Sequence, residues 1–299
     1  MNTNTFKWLV KREFWEHRGG FLWAPVVVAG IATVFSLVAS IAGGMAVREH
    51  RDEMTFGPGA AAEHAAQMGG LGDFALTGGM MMMLLVCALV VFFFALGSLY
   101  DDRRDRSILF WKSLPVSDGM TVLSKAAVPL VVVPLIVFPI VVVSTLTMMG
   151  LQSLVWSLDG FDARQLWARV DLPFLWLALL YGLPFMALWN APVYAWILLA
   201  SAWSRRLAFL WAAAPFAAML MVEHLALHHT PAHWLLERRI GGGVLQPWSA
   251  NGEGTVWAER LSDLDPARIW SLPGLWAGVL LAGVFLYGAT RIRRSRTPN

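Results

Sequence analysis

The chain has 299 residues, of which 57% are hydrophobic and 14% charged, with a mean hydropathy of +0.57; a soluble domain carries about 25% charged residues. Several apolar runs exceed the roughly 18 residues that mark a membrane-spanning helix, so a soluble globular core is excluded as the main architecture. The net charge is +3, and the basic residues cluster between apolar runs, which points to membrane orientation rather than nucleic-acid binding. The single cysteine, Cys87, excludes both an intramolecular disulfide framework and a paired-thiol metal or redox motif.

Residues 1–21 open the chain with a charged stretch in which Phe6, Leu9, Val10 and Phe14 recur at helical spacing. Lys7, Lys11, Glu16 and Arg18 fall elsewhere on the wheel, so this segment is expected to be an amphipathic helix lying on the membrane surface, with Phe6, Lys7, Lys11 and Phe14 meeting it. The first apolar run, 22–44, is longer than the roughly 7–15-residue core of a signal peptide and is expected to be an uncleaved anchor. Further runs at 77–99, 120–149, 173–203, 207–227 and 273–290 bring the expected spans to six. The third carries Pro129, Pro134 and Pro139 and the fourth Pro184 and Pro192, so their excess length should be absorbed by kinks and tilt. Outer loops are expected at 45–76, 150–172 and 228–272. Met80 to Met83 are four adjacent residues that point to four sides of a helix, which suits packing better than soft-metal ligation. Gly274, Gly278 and Ala282 form a small-residue stripe for close helix approach, either within the chain or across a dimer.

Orientation follows from the basic residues. The N-terminus, the segments around 100–119 and 204–206 and the C-terminus hold fourteen Lys and Arg residues, against eight in the much longer opposite loops. The positive-inside bias puts both termini in the cytoplasm, which requires the even number of spans that hydropathy yields independently.

The connector at 100–119 is the most informative segment. Six consecutive residues, Asp101, Asp102, Arg103, Arg104, Asp105 and Arg106, are charged, and the apolar patch Ile108 to Trp111 and Leu114-Pro115-Val116-Ser117 follow, with Lys125 beyond. A short helix with a charged end and an apolar face, stopped by proline, could enter a groove on a partner. In these residues the chain resembles the permease family of type-two ABC exporters, through Asp101, Asp102, Arg103, Leu109, Ser113, Leu114, Pro115, Val116, Ser117 and Lys125. Where that family often has Gly-Thr, this chain has Arg106-Ser107. The resemblance implies an all-α polytopic membrane protein with six transmembrane helices, an N-terminal elbow helix and a cytoplasmic coupling helix. It also implies docking of an ABC ATPase subunit through Asp101, Asp102, Arg103, Arg106, Leu109, Lys112, Leu114 and Pro115, and a second permease copy, identical or similar, in the cell's inner (plasma) membrane.

Energy supply agrees. A phosphate-cradling loop needs Gly-Lys-(Ser/Thr), and none of Lys7, Lys11, Lys112 and Lys125 follows a glycine. The chain is therefore not expected to be catalytic by itself; ATP and Mg would be bound by the partner subunit, with no cofactor in this chain. His224 and His228 share metal-ligand spacing next to Glu223, though a polar cap at the outer interface explains them better. The rival readings are a membrane scaffold or assembly subunit without transport, and a metal-binding membrane enzyme using those histidines.

Overall fold

The computed structural model describes residues 3–49, 58–113, 115–158, 160, 162–226, 249 and 261–295. Among them the chain is all-α: α1 (Thr3–Glu16), α2 (Ala24–Glu49), α3 (Pro58–Arg104), α4 (Ser107–Ser113), α5 (Asp118–Ala127), α6 (Val133–Leu158), α7 (Ala163–Arg169), α8 (Leu172–Trp189), α9 (Ala191–Trp203), α10 (Ala208–Ala226), α11 (Pro266–Trp270) and α12 (Pro273–Ser295). Five stretches, Gly19–Met45, Gly78–Arg104, Asp118–Leu158, Ala163–Trp189 and Pro273–Ser295, are long and apolar enough to cross a membrane. Among the described residues these helices are compatible with a multi-pass membrane protein, since helices satisfy their own backbone hydrogen bonds inside lipid.

The structure differs from the sequence expectation in the first outer loop and in the fourth run. The outer loop expected at 45–76 is partly helical, since α3 begins at Pro58; proline suits the first helical turn, and the Ala-rich stretch behind it has high helix propensity. The expected run 173–203 divides at Asn190, which separates α8 from the 13-residue α9; Pro192, which lacks an N–H, stands in the first turn of α9. The run 207–227 coincides with the 19-residue α10, which is not among the five stretches above.

Proline also shapes the junction between α5 and α6. Val128–Val132 form a π-helical turn in which the Val133 N–H bonds to the Val128 carbonyl. Pro129 and Pro134 supply no donors there, and the Pro134 ring would clash with the carbonyl four residues back in a regular helix.

The chain packs as two compact units, the first comprising Met1–Arg18, Val90–Leu135 and Leu177–Asn299 and the second Gly19–Leu89 and Ile136–Trp176. The first has a core of Ala95, Leu99, Val122, Ala126, Ile197, Leu198, Ala202 and Ala289, contributed by α3, α5, α9 and α12. A second patch brings Ala282 of α12 against Ala191 and Ala195 of α9. The Gly274 Cα faces the Trp189 ring, which a Cβ would meet at 3.6 Å. The small-residue stripe of α12 therefore serves packing within the chain, through Ala282 against α9 and Gly274 against α8.

In the second unit Met149, Trp156, Leu166 and Leu172 form the core. Polar side chains join its helices: Gln152 of α6 donates to the Ser36 hydroxyl of α2, and the Trp176 indole of α8 donates to Thr145 Oγ1 at 3.0 Å. Gly79 of α3 and Ala32 of α2 approach so closely that a Cβ on Gly79 would stand 2.9 Å from the Ala32 methyl.

Candidate functional site

The connector between α3 and α5 lies wholly within the first unit and is built from the end of α3 outward. Helix α3 closes with Asp105 N–H bonded to the Asp101 carbonyl and Arg106 N–H to that of Arg103. Arg106 then turns the chain with φ of 58°, the left-handed conformation in which glycine alone has no Cβ penalty. Helix α4 follows, seven residues long, with Ser107 Oγ donating to the Asp102 carbonyl at 3.2 Å. Ile108 is fully buried and fastens α4 to the core, whereas Phe110 is 58% exposed. Ser117 caps α5 by accepting from the Met120 N–H, and Asp118 in the first turn complements the helix dipole.

Beneath this connector runs a chain of charges of alternating sign. Arg12 Nη2 donates to Glu13 Oε1 at 2.8 Å, and Glu13 Oε2 meets Lys125 Nζ at 3.2 Å. Lys125 Nζ lies 3.6 Å from Asp102 Oδ2, the same oxygen that receives Arg293 Nη1 at 2.9 Å. Arg293 Nε then donates to Asp118 Oδ1 at 3.1 Å. Arg12, Lys125 and Arg293 alternate with Glu13, Asp102 and Asp118, and the exposed Glu16 also meets Arg12 at 3.3 Å. Glu13, Lys125 and Arg293 are buried, and Asp102 nearly so. Four helices contribute: α1, α3, α5 and α12. Such a cluster is stable only when complete, because removing one member leaves a charge without its partner in low dielectric.

One guanidinium, that of Arg293, thus holds both ends of the connector, Asp102 before α4 and Asp118 after it. Arg103 fastens the same segment to α9. Its Nη2 donates to the carbonyls of Ser201 and Ser204 at 2.6 and 2.8 Å, and its Nε donates to the Leu99 carbonyl at 3.3 Å. A buried cation on the carbonyl end of α9 is favoured by the helix dipole. From the other side, the Arg12 guanidinium stacks 3.7 Å from the centre of the Trp111 ring of α4.

The expected docking residues therefore fall into two groups. Asp102 and Arg103 point inward and are engaged by the chain's own helices. Asp101, which pairs with Arg104 at 3.3 Å, is half exposed; Arg106 and Pro115 are exposed. The side chains of Leu109 and Lys112, and all of Leu114, lie outside the described residues. On α1, Lys7 and Lys11 are exposed as expected, while Phe6 and Phe14 are half-buried and the outward aromatics are Trp8 and Trp15. His224 belongs to α10 by its backbone, but its side chain and His228 lie outside the described residues.

Glu13, Asp118 and Arg293 are members of the charge cluster that the pattern of the sequence did not bring forward. For Glu13 a signal existed: it falls four residues after Leu9, inside the apolar arc of α1, where an ionised carboxylate needs a partner. Arg293 looks like any basic residue flanking a span, and nothing local distinguishes it. Glu13, Glu16 and His17 also offer ligand atoms within 4.8 Å of one another. Both Glu13 oxygens are taken by Arg12 and Lys125, and Glu16 lies 3.3 Å from Arg12 Nε, so the arrangement is that of an ion-pair site.

Comparison with protein-family models, with curated proteins and with solved structures finds no match.

Proposed function

We propose that the chain is the transmembrane permease subunit of an ATP-driven exporter, seated in the plasma membrane with both termini in the cytoplasm. In this reading α10 is the sixth span. A separate ABC ATPase subunit binds ATP and Mg and docks on the exposed side of residues 101–117, and a second permease copy, identical or related, completes the conduit. The observation that carries the reading is the attachment of the connector: Arg293 bonds Asp102 and Asp118 on either side of α4, while Phe110 and the charges of Asp101 and Arg106 face outward. ATP can bias the conformation of a permease only if the ATPase binds its two states unequally. A docking element must therefore be rigidly joined to the helices it moves, and the buried charges under α4 meet that requirement. The left-handed Arg106, at the position where the resembling exporters often carry glycine, supports the alignment of the two connectors.

The test is capture of the ATPase by the tagged full-length chain from native membranes. Asp101→Asn with Phe110→Ala is expected to abolish capture of a nucleotide-binding subunit while membrane insertion and thermal stability stay at wild-type values. Capture undiminished in that variant, or tag accessibility placing residues 101–117 outside the cell, would overturn the proposal.

A further inference from the structure

Helix α1 has two faces with different tasks. The inward one carries Leu9 and Glu13, both buried, and Glu13 delivers its carboxylate to Lys125. At 3.6 residues per turn, Lys7, Lys11, Asn4, Trp15 and Trp8 fall in that order around the opposite side, within an arc of about 100°, and Arg18 stands two residues beyond the end of α1. All six are exposed, Trp8 at 65% and Trp15 at 53%. The arc has a basic edge of Lys7 and Lys11, continued by Arg18, and an indole edge of Trp15 and Trp8. The edges touch, since Lys11 Nζ stands 4.8 Å from the Trp8 ring centre and the Arg18 guanidinium 5.7 Å from that of Trp15. Glu16, the exposed carboxylate of α1, pairs with Arg12 at 3.3 Å. Arg18 lies one residue before the apolar stretch that begins at Gly19.

Indole is the side chain best suited to the headgroup zone, with an apolar body and one N–H donor, and Lys and Arg beside it meet phosphate. We infer that Trp8, Lys11 and Trp15 of α1, with Arg18 just beyond its end, form a binding site for anionic phospholipid headgroups of the cytoplasmic leaflet. Cation and indole together define it: the rings enter the interface on one edge, and the basic groups bind lipid phosphate on the other. A zwitterionic surface receives the indoles as well, but its phosphates are already balanced by choline and it offers the three basic groups no net negative charge.

Occupancy of this face bears on the connector. Arg12 stacks on Trp111 of α4, and Glu13 holds Lys125, so lipid that fixes α1 from outside also steadies α4 and the buried charges. The consequence, which rests on the exporter reading only for its meaning in transport, is that anionic lipid sets the rigidity of the docking connector.

The experiment uses the full-length protein in nanodiscs of phosphatidylcholine with and without phosphatidylglycerol. Lipid retained after detergent extraction is counted by native mass spectrometry, and deuterium uptake of residues 107–117 is followed in parallel. Lys11→Gln/Arg18→Gln is expected to lower the retained ratio of phosphatidylglycerol to phosphatidylcholine by about fivefold or more, since each basic group at an anionic surface contributes about that factor, whereas Trp8→Ala/Trp15→Ala is expected to lower the total lipid retained. Arg205→Gln/Arg206→Gln, which neutralises two exposed cations elsewhere, is expected to leave the ratio unchanged. Phosphatidylglycerol should slow exchange in 107–117 of the wild type and not of Lys11→Gln/Arg18→Gln. Equal ratios in wild type and Lys11→Gln/Arg18→Gln, an equal loss in Arg205→Gln/Arg206→Gln, or full retention by Trp8→Ala/Trp15→Ala would each overturn the site. Neither readout involves an ATPase, so failure to capture one leaves this site standing, and loss of the lipid effect leaves the exporter reading standing.

Discussion

Replacing Arg293 with methionine keeps most of the apolar stem of the side chain and removes the guanidinium that joins Asp102 to Asp118. Two charge-assisted contacts disappear, at 2.9 and 3.1 Å, from a side chain that is 3% exposed. Removing one member of a buried ion pair costs about 3–5 kcal/mol, mainly because the remaining charge stays desolvated. Two features favour the lower end. Asp118 is 21% exposed and lies in the first turn of α5, where water and the helix dipole both stabilise it, and Asp102 keeps Lys125 at 3.6 Å. The expected loss is therefore about 3 kcal/mol. Equilibrium unfolding in bilayer nanodiscs by steric trapping measures it. The companion variant Arg293→Met/Asp102→Asn/Asp118→Asn tests the cause, because neutralising the carboxylates removes the stranded charges and should recover most of the loss, as buried pairs replaced by neutral groups commonly do. An Arg293→Met protein within about 0.5 kcal/mol of wild type, the range of ordinary surface substitutions, would refute the claim that this guanidinium holds the connector. So would a triple variant no more stable than the single one.

Two further substitutions probe the backbone. Arg106→Gly should stabilise by up to about 1 kcal/mol, since it removes the Cβ penalty that arginine pays at a φ of 58°, and Arg106→Val should destabilise, since a branched Cβ is crowded further there; the same unfolding measurement reads both. Adjacent glycines of α3 should respond with opposite signs: Gly79→Ala brings a methyl to 2.9 Å from Ala32 and should destabilise by about 1–3 kcal/mol, whereas Gly78→Ala meets open space and should gain about 0.5–1 kcal/mol from helix propensity. Equal effects at the two positions would contradict the close approach of α2 and α3.

The connector illustrates how far linear pattern carries. Proline after the apolar patch and serine before Asp118 are local signals, and they mark the end of α4 and the cap of α5 within a residue or two. The burial of Asp102 and Arg103 beside exposed Asp101 and Arg106 is not local. All belong to one charged run, and which of them turn inward is decided by where α9 and α12 arrive, some 98 and 191 residues later in the chain. The wheel of α1 was similarly half legible. Its periodicity announces a two-faced helix, but Phe6 and Phe14 suggested the lipid side, and it is Trp8 and Trp15 that face outward, because Glu13 had to reach Lys125 on the other face.

Hydropathy and charge act residue by residue along the chain, so the sequence alone determined that helices long and apolar enough to cross a bilayer would form, roughly where they begin and end, and where the charged segments between them lie. Burial of a charge depends on partners brought from distant segments, and the energy of Glu13, Lys125, Asp102, Arg293 and Asp118 exists only when all five meet. Only the tertiary structure could decide that, because an ion pair is favourable inside a low-dielectric core by virtue of its geometry and not of the residue types that compose it.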